Sequence, residues 1–329
     1  MTALLQVQDL AIGFPGGVAV HGIDFHIAPG ETLALVGESG CGKSVTAFAL
    51  LRLLPPTARI LRGRVLFGGM DLLTAPAAAL RGIRGKRISL IMQEPMTSLN
   101  PVLTVGAQIV EVIRRHEQVS RGTARRRAVD LLDLVGIPEP QRRVDEFPHQ
   151  FSGGMRQRVM IAIAVACGPE LIIADEPTTA LDVTIQAQVL DLLDGLRRRL
   201  GMALLLITHD LGVVAQWADR VAVMYAGRIA EQAPVRPFFE APLHPYAKGL
   251  LGASVGDGRA HYTTSRLREI TGSVASAARE PGCPFAPRCP EVTGACRVAP
   301  PPLERVAAGR DVACIVAARQ GVRHGAAVG

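Results

Sequence analysis

Aromatic side chains are scarce in this 329-residue sequence: Phe, Trp and Tyr make up 4% of it, with a single Trp. Surfaces that bind single-stranded nucleic acid stack bases on aromatic rings, and so few rings leave little for such a surface. Long apolar runs are missing as well. The longest candidate, VMIAIAVACG from Val159, is about half the roughly 18 to 20 residues that a membrane-crossing helix requires. The opening residues MTALLQVQDL lack a basic stretch followed by a long apolar one, so they do not read as an export signal, and a cytosolic chain is expected. Net charge is +7, but much of the positive excess sits in short arginine clusters, Arg125 to Arg127, Arg142 with Arg143, and Arg197 to Arg199. Such clusters read as solvated helix faces, and no nucleic-acid partner is expected.

What is present is 48% hydrophobic residues, enough for a large core with a smaller appendage. Apolar runs at Thr32 to Val36, Ile88 to Met92, Leu171 to Ala174 and Met202 to Ile207 do not alternate, the mark of strands in a parallel sheet covered on both faces. Between the second and third run the period becomes helical. Val105, Ile109, Val112, Ile113 and His116 mark one face, and Ala124, Ala128, Leu131, Leu132 and Val135 another, stopped by Gly136 and Pro138. The expected organisation is an α/β core from residues 1–92 and 169–230, a helical insertion over 93–168, and a proline-rich C-terminal extension over 231–329. No internal repeat is visible.

Gly37-Glu38-Ser39-Gly40-Cys41-Gly42-Lys43-Ser44 fits G-x-x-x-x-G-K-[ST] between a strand and a helix, the context that a phosphate loop requires. Backbone N–H groups of such a loop close around phosphate oxygens, Lys43 reaches the β- and γ-phosphates, and Ser44 ligates Mg²⁺. Gly37, Ser39, Gly40, Cys41, Gly42, Lys43, Ser44 and the following Val45 are therefore candidate nucleotide-binding residues. The apolar run from Leu171 ends in Asp175 and Glu176. Asp175 is a candidate for the Mg²⁺ shell and Glu176 for polarising the attacking water. A second helix start suited to an anion follows Phe151, at Ser152-Gly153-Gly154, and one nucleotide needs only one phosphate loop.

With SGG-x-x-Q-R standing before the Asp-Glu strand, the chain resembles the ABC ATPase family. The resemblance covers roughly the first 230 residues and implies a P-loop ABC ATPase core with a helical insertion. It implies that Gln93 in IMQEP is the Q-loop glutamine, which senses Mg²⁺ and the transport domains. Leu181-Asp182 corresponds to the D-loop, and His209 in ITHD to the switch histidine that contacts the γ-phosphate. Phe14 lies where the family sets an aromatic ring against adenine. Ser152, Gly153 and Gly154 are implied to close over the nucleotide of a second ATPase subunit. Phe151 and Met155 depart from the usual Leu and Gln; Met155 cannot donate an amide hydrogen bond there.

The tail narrows the resemblance. PLHPYAKGLL around His244 to Leu251 and Cys283-Pro-Phe-Ala-Pro-Arg-Cys289 are similar to the C-terminal region of oligopeptide and dipeptide importer ATPases. Members serve peptides, nickel and related solutes. This implies an ATPase coupled to transport, using ATP and Mg²⁺ at the cytoplasmic face of the cell membrane. The implied partners are a related second ATPase chain, two transmembrane permease subunits and an extracytoplasmic substrate-binding protein. A soluble ABC ATPase of DNA repair or translation is the alternative, but it would usually carry long coiled-coil or zinc insertions, or two cassettes. A non-hydrolysing regulatory subunit is disfavoured by Glu176 and His209.

Cys283, Cys289, Cys296 and Cys314 are spaced C-x5-C-x6-C-x17-C in a weakly hydrophobic tail. Disulfides are disfavoured in a reducing cytosol, and the tail offers no evident core to bury four separate thiols. A metal centre would supply that stability. Four thiolates suit tetrahedral Zn²⁺ or a [4Fe–4S] cluster, and the cluster is preferred because the C-x2-C knuckle of many zinc sites is absent and because of the resemblance, with a metal-free tail as the remaining alternative.

Overall fold

The structure, a computed structural model, describes residues 3–93, 98–179, 182–254, 270, 272 and 281–319. Strands β1 to β6 span Leu5–Phe14, Gly17–Ile27, Thr32–Val36, Arg59–Phe67, Met70–Asp71 and Ile88–Ile91. Strands β7 to β12 span Leu171–Asp175, Ala203–Thr208, Arg220–Tyr225, Arg228–Pro234, Glu304–Ala307 and Arg310–Val312. Two compact units form. The first holds residues 27–31 and 74–207, and the second holds 3–26, 32–73 and the chain from 208 onward. These units differ from the division drawn from sequence periodicity, because a strand's neighbours in a sheet need not be its neighbours in the chain.

In the first unit, β6, β7 and β8 run parallel, with Ile88 paired to Leu171 and Leu171 to Ala203. All five residues of β7 and all six of β8 are buried, which is why neither sequence alternates. The helical faces expected from the sequence form. The helix Val105–His116 buries Val105, Ile109 and Ile113, its Thr104 cap accepts from the Ala107 N–H, and Arg114, Arg115 and His116 fill its last turn. Basic residues there complement the carbonyl end of the helix dipole. The helix Arg121–Leu134 starts on a Ser120 cap and buries Ala124, Ala128 and Leu132. Val112 and His116 are only half-buried.

In the second unit, β2, β1, β4 and β5 form an antiparallel sheet in that order. Leu5 pairs with Phe67, and the register shifts between Gln8 and Ala11. A separate set of pairings joins β3 parallel to β9, and then β10, β12 and β11 antiparallel in turn. Glu231 of β10 pairs with Val312 of β12, so the C-terminal segment extends the sheet that carries the phosphate loop.

That segment also has a core, contrary to the expectation from its composition. Tyr246, Phe285, Cys283 and Cys296 pack with Val36 of β3, with Val221, Val223 and Tyr225 of β9 and with Phe238. Tyr225 and Tyr246 lie 4.6 Å apart between ring centroids, and Phe285 meets Tyr225 edge-on at 5.2 Å. Aromatic pairs in such geometry contribute about 0.5 to 1.5 kcal/mol each beyond area burial. The proline-rich sequence hides this core because its apolar residues follow no helical or strand period.

Candidate active site

The phosphate loop leaves β3, whose five residues are all buried, and enters the helix Lys43–Leu50. Two glycines shape it. A Cβ on Gly37 would lie 2.1 Å from the Met224 carbonyl oxygen, so only glycine passes there. Gly42 caps the helix at φ 105°, in the left-handed region, and offers no side chain to the first-turn N–H groups. Ser39 and Gly40 are exposed, Ser44 and Val45 half-buried, and Cys41 and Lys43 buried. The Lys43 ammonium donates to the carbonyls of Gly37 at 2.7 Å and Glu38 at 3.2 Å, spanning the loop. Burial pushes the Cys41 thiol above its ordinary range, partly offset by Lys43. Phe14, at the end of β1, keeps its ring half-exposed, and His209 is exposed just beyond β8. All these residues belong to the second unit.

The first unit carries the carboxylates. Asp175 closes β7 and is 4% exposed. Glu176 follows with φ 47°, a conformation that a non-glycine residue adopts at a cost, and its N–H donates to the Ile207 carbonyl at 2.9 Å. Its carboxylate oxygen Oε2 accepts from the Gln93 amide Nε2 at 3.0 Å and from the Thr179 hydroxyl at 3.0 Å. Gln93 and Glu176, 83 residues apart, are thus brought together. Thr179 was not singled out from sequence; its place three residues after Glu176 in a turn is the signal that points to it.

Ser152 caps the helix Gly153–Val165, and its hydroxyl accepts from the Met155 N–H at 3.3 Å. Ser152 and Gly153 are exposed and Gly154 half-buried, so this helix start is open to solvent in the single chain. Met155 contributes a backbone donor, which its side chain does not alter. Asp182 caps the helix Val183–Leu200 through the Ile185 N–H at 3.0 Å, while Leu181 lies outside the described residues.

The four C-terminal cysteines are all free thiols. They line one small pocket together with His244 and Glu291. Burial raises Cys283 and Cys314, and pushes Cys289 up to about 11. Among the described residues, no three His, Cys, Asp or Glu side chains are grouped closely enough to hold a metal ion, and the four-thiolate centre expected from the sequence would require the thiols to draw together. The premise behind it also changes, because Cys283 and Cys296 share the aromatic core. Buried thiols behave as small hydrophobes and need no metal to be accommodated there.

Residues 20–179 match the ABC transporter family, and residues 230–296 match the oligopeptide/dipeptide transporter C-terminal region. The chain is 54% identical over 318 residues to a probable peptide ABC transporter ATP-binding protein of Sinorhizobium fredii, covering 94% of each. It is 52% identical over 296 residues to the dipeptide transport ATP-binding protein DppD of Bacillus subtilis, covering 88% of each. The ATP-binding cassette MJ0796, solved as a dimer in a post-hydrolysis state with ADP and Pi, superposes with TM-score 0.63 at 26% identity. That match covers 70% of this chain and 99% of that one. A mixed α/β nucleotide-binding cassette is therefore the class of protein that the phosphate loop and the parallel strands define. The chain belongs to the ABC transporter ATP-binding family, in the branch that carries the oligopeptide/dipeptide C-terminal region.

Proposed function

We propose that this chain is the ATP-hydrolysing subunit of a peptide importer and works at the cytoplasmic face of a membrane. Among the described residues no helix is long and apolar enough to cross a membrane, which fits a peripheral subunit. The relatives' names carry the peptide assignment, and nickel or a related solute remains the second candidate cargo from the family resemblance. Motion would pass to two permease subunits through the segment around Gln93. A substrate-binding protein outside the membrane would supply cargo.

One observation carries the catalytic assignment: Glu176 has its carboxylate oriented by two donors, Gln93 and Thr179, on a strained residue at a strand end. A carboxylate fixed in this way is preorganised to orient a water for attack on phosphorus. In this reading Gly37 to Val45 bind the triphosphate, Phe14 meets the adenine and His209 contacts the γ-phosphate. Ser44 and Asp175 offer the hard oxygen donors that suit Mg²⁺, which neutralises phosphate charge when bound. Ser152 and Gly153, exposed in one chain, and the half-buried Gly154 would meet the nucleotide of a second, related ATPase subunit, as would Asp182. Glu176→Gln in the assembled complex should retain ATP and lose about 10² to 10⁴-fold in turnover. Near-normal hydrolysis would remove the assignment.

The convergence of four cysteines on one cavity supports a second proposal, that Cys283, Cys289, Cys296 and Cys314 close on a [4Fe–4S] cluster, with Zn²⁺ as the alternative. Such a group would supply structural cross-linking. Protein purified without oxygen should absorb broadly near about 400 nm and bleach in Cys289→Ser; colourless, metal-free protein would eliminate it.

A further inference from the structure

Two side chains from the C-terminal segment hold Glu38 of the phosphate loop. The Glu38 N–H donates to the Tyr246 hydroxyl at 3.0 Å, and the Arg288 guanidinium donates to its carboxylate at 3.0 Å. Arg288 is itself locked in place. Its side chain is 4% exposed, it donates to the Tyr225 hydroxyl at 3.3 Å and to the Ile270 carbonyl at 2.9 Å, and it lies 5.7 Å from the Tyr225 ring centroid. Glu38 in turn offers its carbonyl to Lys43 and to the Cys41 N–H. Glu38 thereby links the phosphate-binding lysine to Tyr246 and Arg288, which lie 208 and 250 positions from Glu38 in the chain.

We propose that Arg288 is a positioning residue for ATP binding: it neutralises Glu38 and, with Tyr246, fixes the phosphate loop before the nucleotide arrives. This rests on the reading of residues 37–45 as the triphosphate site. A carboxylate within a loop that must receive a polyanion opposes binding at short range unless a cation offsets it. A guanidinium withdrawn from water gives that offset with little solvent screening, and its planar fork fixes direction as well as charge. Fixing the loop in advance removes an ordering cost that binding would otherwise have to meet.

The experiment uses full-length chain, Mg²⁺ and ATP, measuring the dissociation constant by titration calorimetry beside a thermal melt. Arg288→Gln leaves Glu38 charged and unopposed and should weaken ATP binding by about tenfold. Adding Glu38→Gln removes the unopposed charge and should restore affinity to within about threefold of the parent. A purely structural Arg288 would show no such rescue. Parental affinity in Arg288→Gln, or a double variant as weak as the single, overturns the proposal. If Arg288→Gln does not fold, Arg288→Lys is read instead; it should weaken binding by about threefold, and unchanged affinity is again the refuting result. Lys43→Ala serves as the control: if it still binds ATP normally, the phosphate-loop reading has failed rather than the role of Arg288.

Discussion

His244 is fully buried against Phe285, with ring centroids 5.8 Å apart, and its Nδ1 accepts from the Tyr246 N–H at 3.0 Å. Burial lowers its pKa from 6.5 to about 4; a hydrogen bond involving the Ala313 backbone works against the shift and Lys248 adds to it. Between those two values the unfolded chain binds more protons than the folded one, so stability is lost as pH falls through the window. The imidazole alone should cost the fold about 2 kcal/mol near pH 5 and well under about 1 kcal/mol near pH 7. Glu231 acts with the opposite sign. Its carboxylate accepts from the His244 N–H at 2.7 Å and sits beside Arg310, and burial raises its pKa, so the folded state takes up its proton first as pH falls. Cys283, Cys289, Cys296, Cys314 and Glu291 share the cavity with His244. The measurement is therefore a comparison. Urea unfolding of the parent and of His244→Asn, whose carbonyl replaces Nδ1 as acceptor, should be followed near pH 7 and pH 5. The parent should lose about 2 kcal/mol more than the variant over that interval. Equal losses would mean that the imidazole does not titrate against the fold.

Gly42→Ala would force a side chain to φ 105° with its Cβ 3.1 Å from the Ala19 carbonyl; a cost of about 1 to 3 kcal/mol is expected in denaturant unfolding. Asp210→Ala removes the carboxylate that accepts from the Gly212 and Val213 N–H groups, and should cost about 1 kcal/mol by the same assay. Arg87→Ala breaks the pair with Glu170, whose side chains are 38% and 43% exposed; thermal unfolding should report less than about 1 kcal/mol, because solvent screens such pairs. Gly153→Asp in the assembled ATPase should leave nucleotide binding to each chain within about threefold while abolishing turnover, and loss of binding in the isolated chain would contradict the role in a neighbouring subunit.

The sequence by itself determined the chemistry that resides in short stretches. The spacing of Gly37, Gly42 and Lys43, the apolar runs of β3, β7 and β8, and the helix start at Ser152 are local patterns, and local backbone geometry follows from residue type within a few positions. The antiparallel sheet of β1, β2, β4 and β5 was not legible, because its strands mix buried and exposed positions irregularly and β1 shifts register between Gln8 and Ala11. Only tertiary structure decided that Gln93 and Thr179 share one oxygen of Glu176, and that Tyr246 and Arg288 reach Glu38. Tertiary structure also gave the cysteine-bearing tail a core, through rings at 225, 246 and 285 that no sequence period connects. Contacts between residues far apart in the chain depend on the summed packing of everything between them, and residue type at either end does not encode that sum.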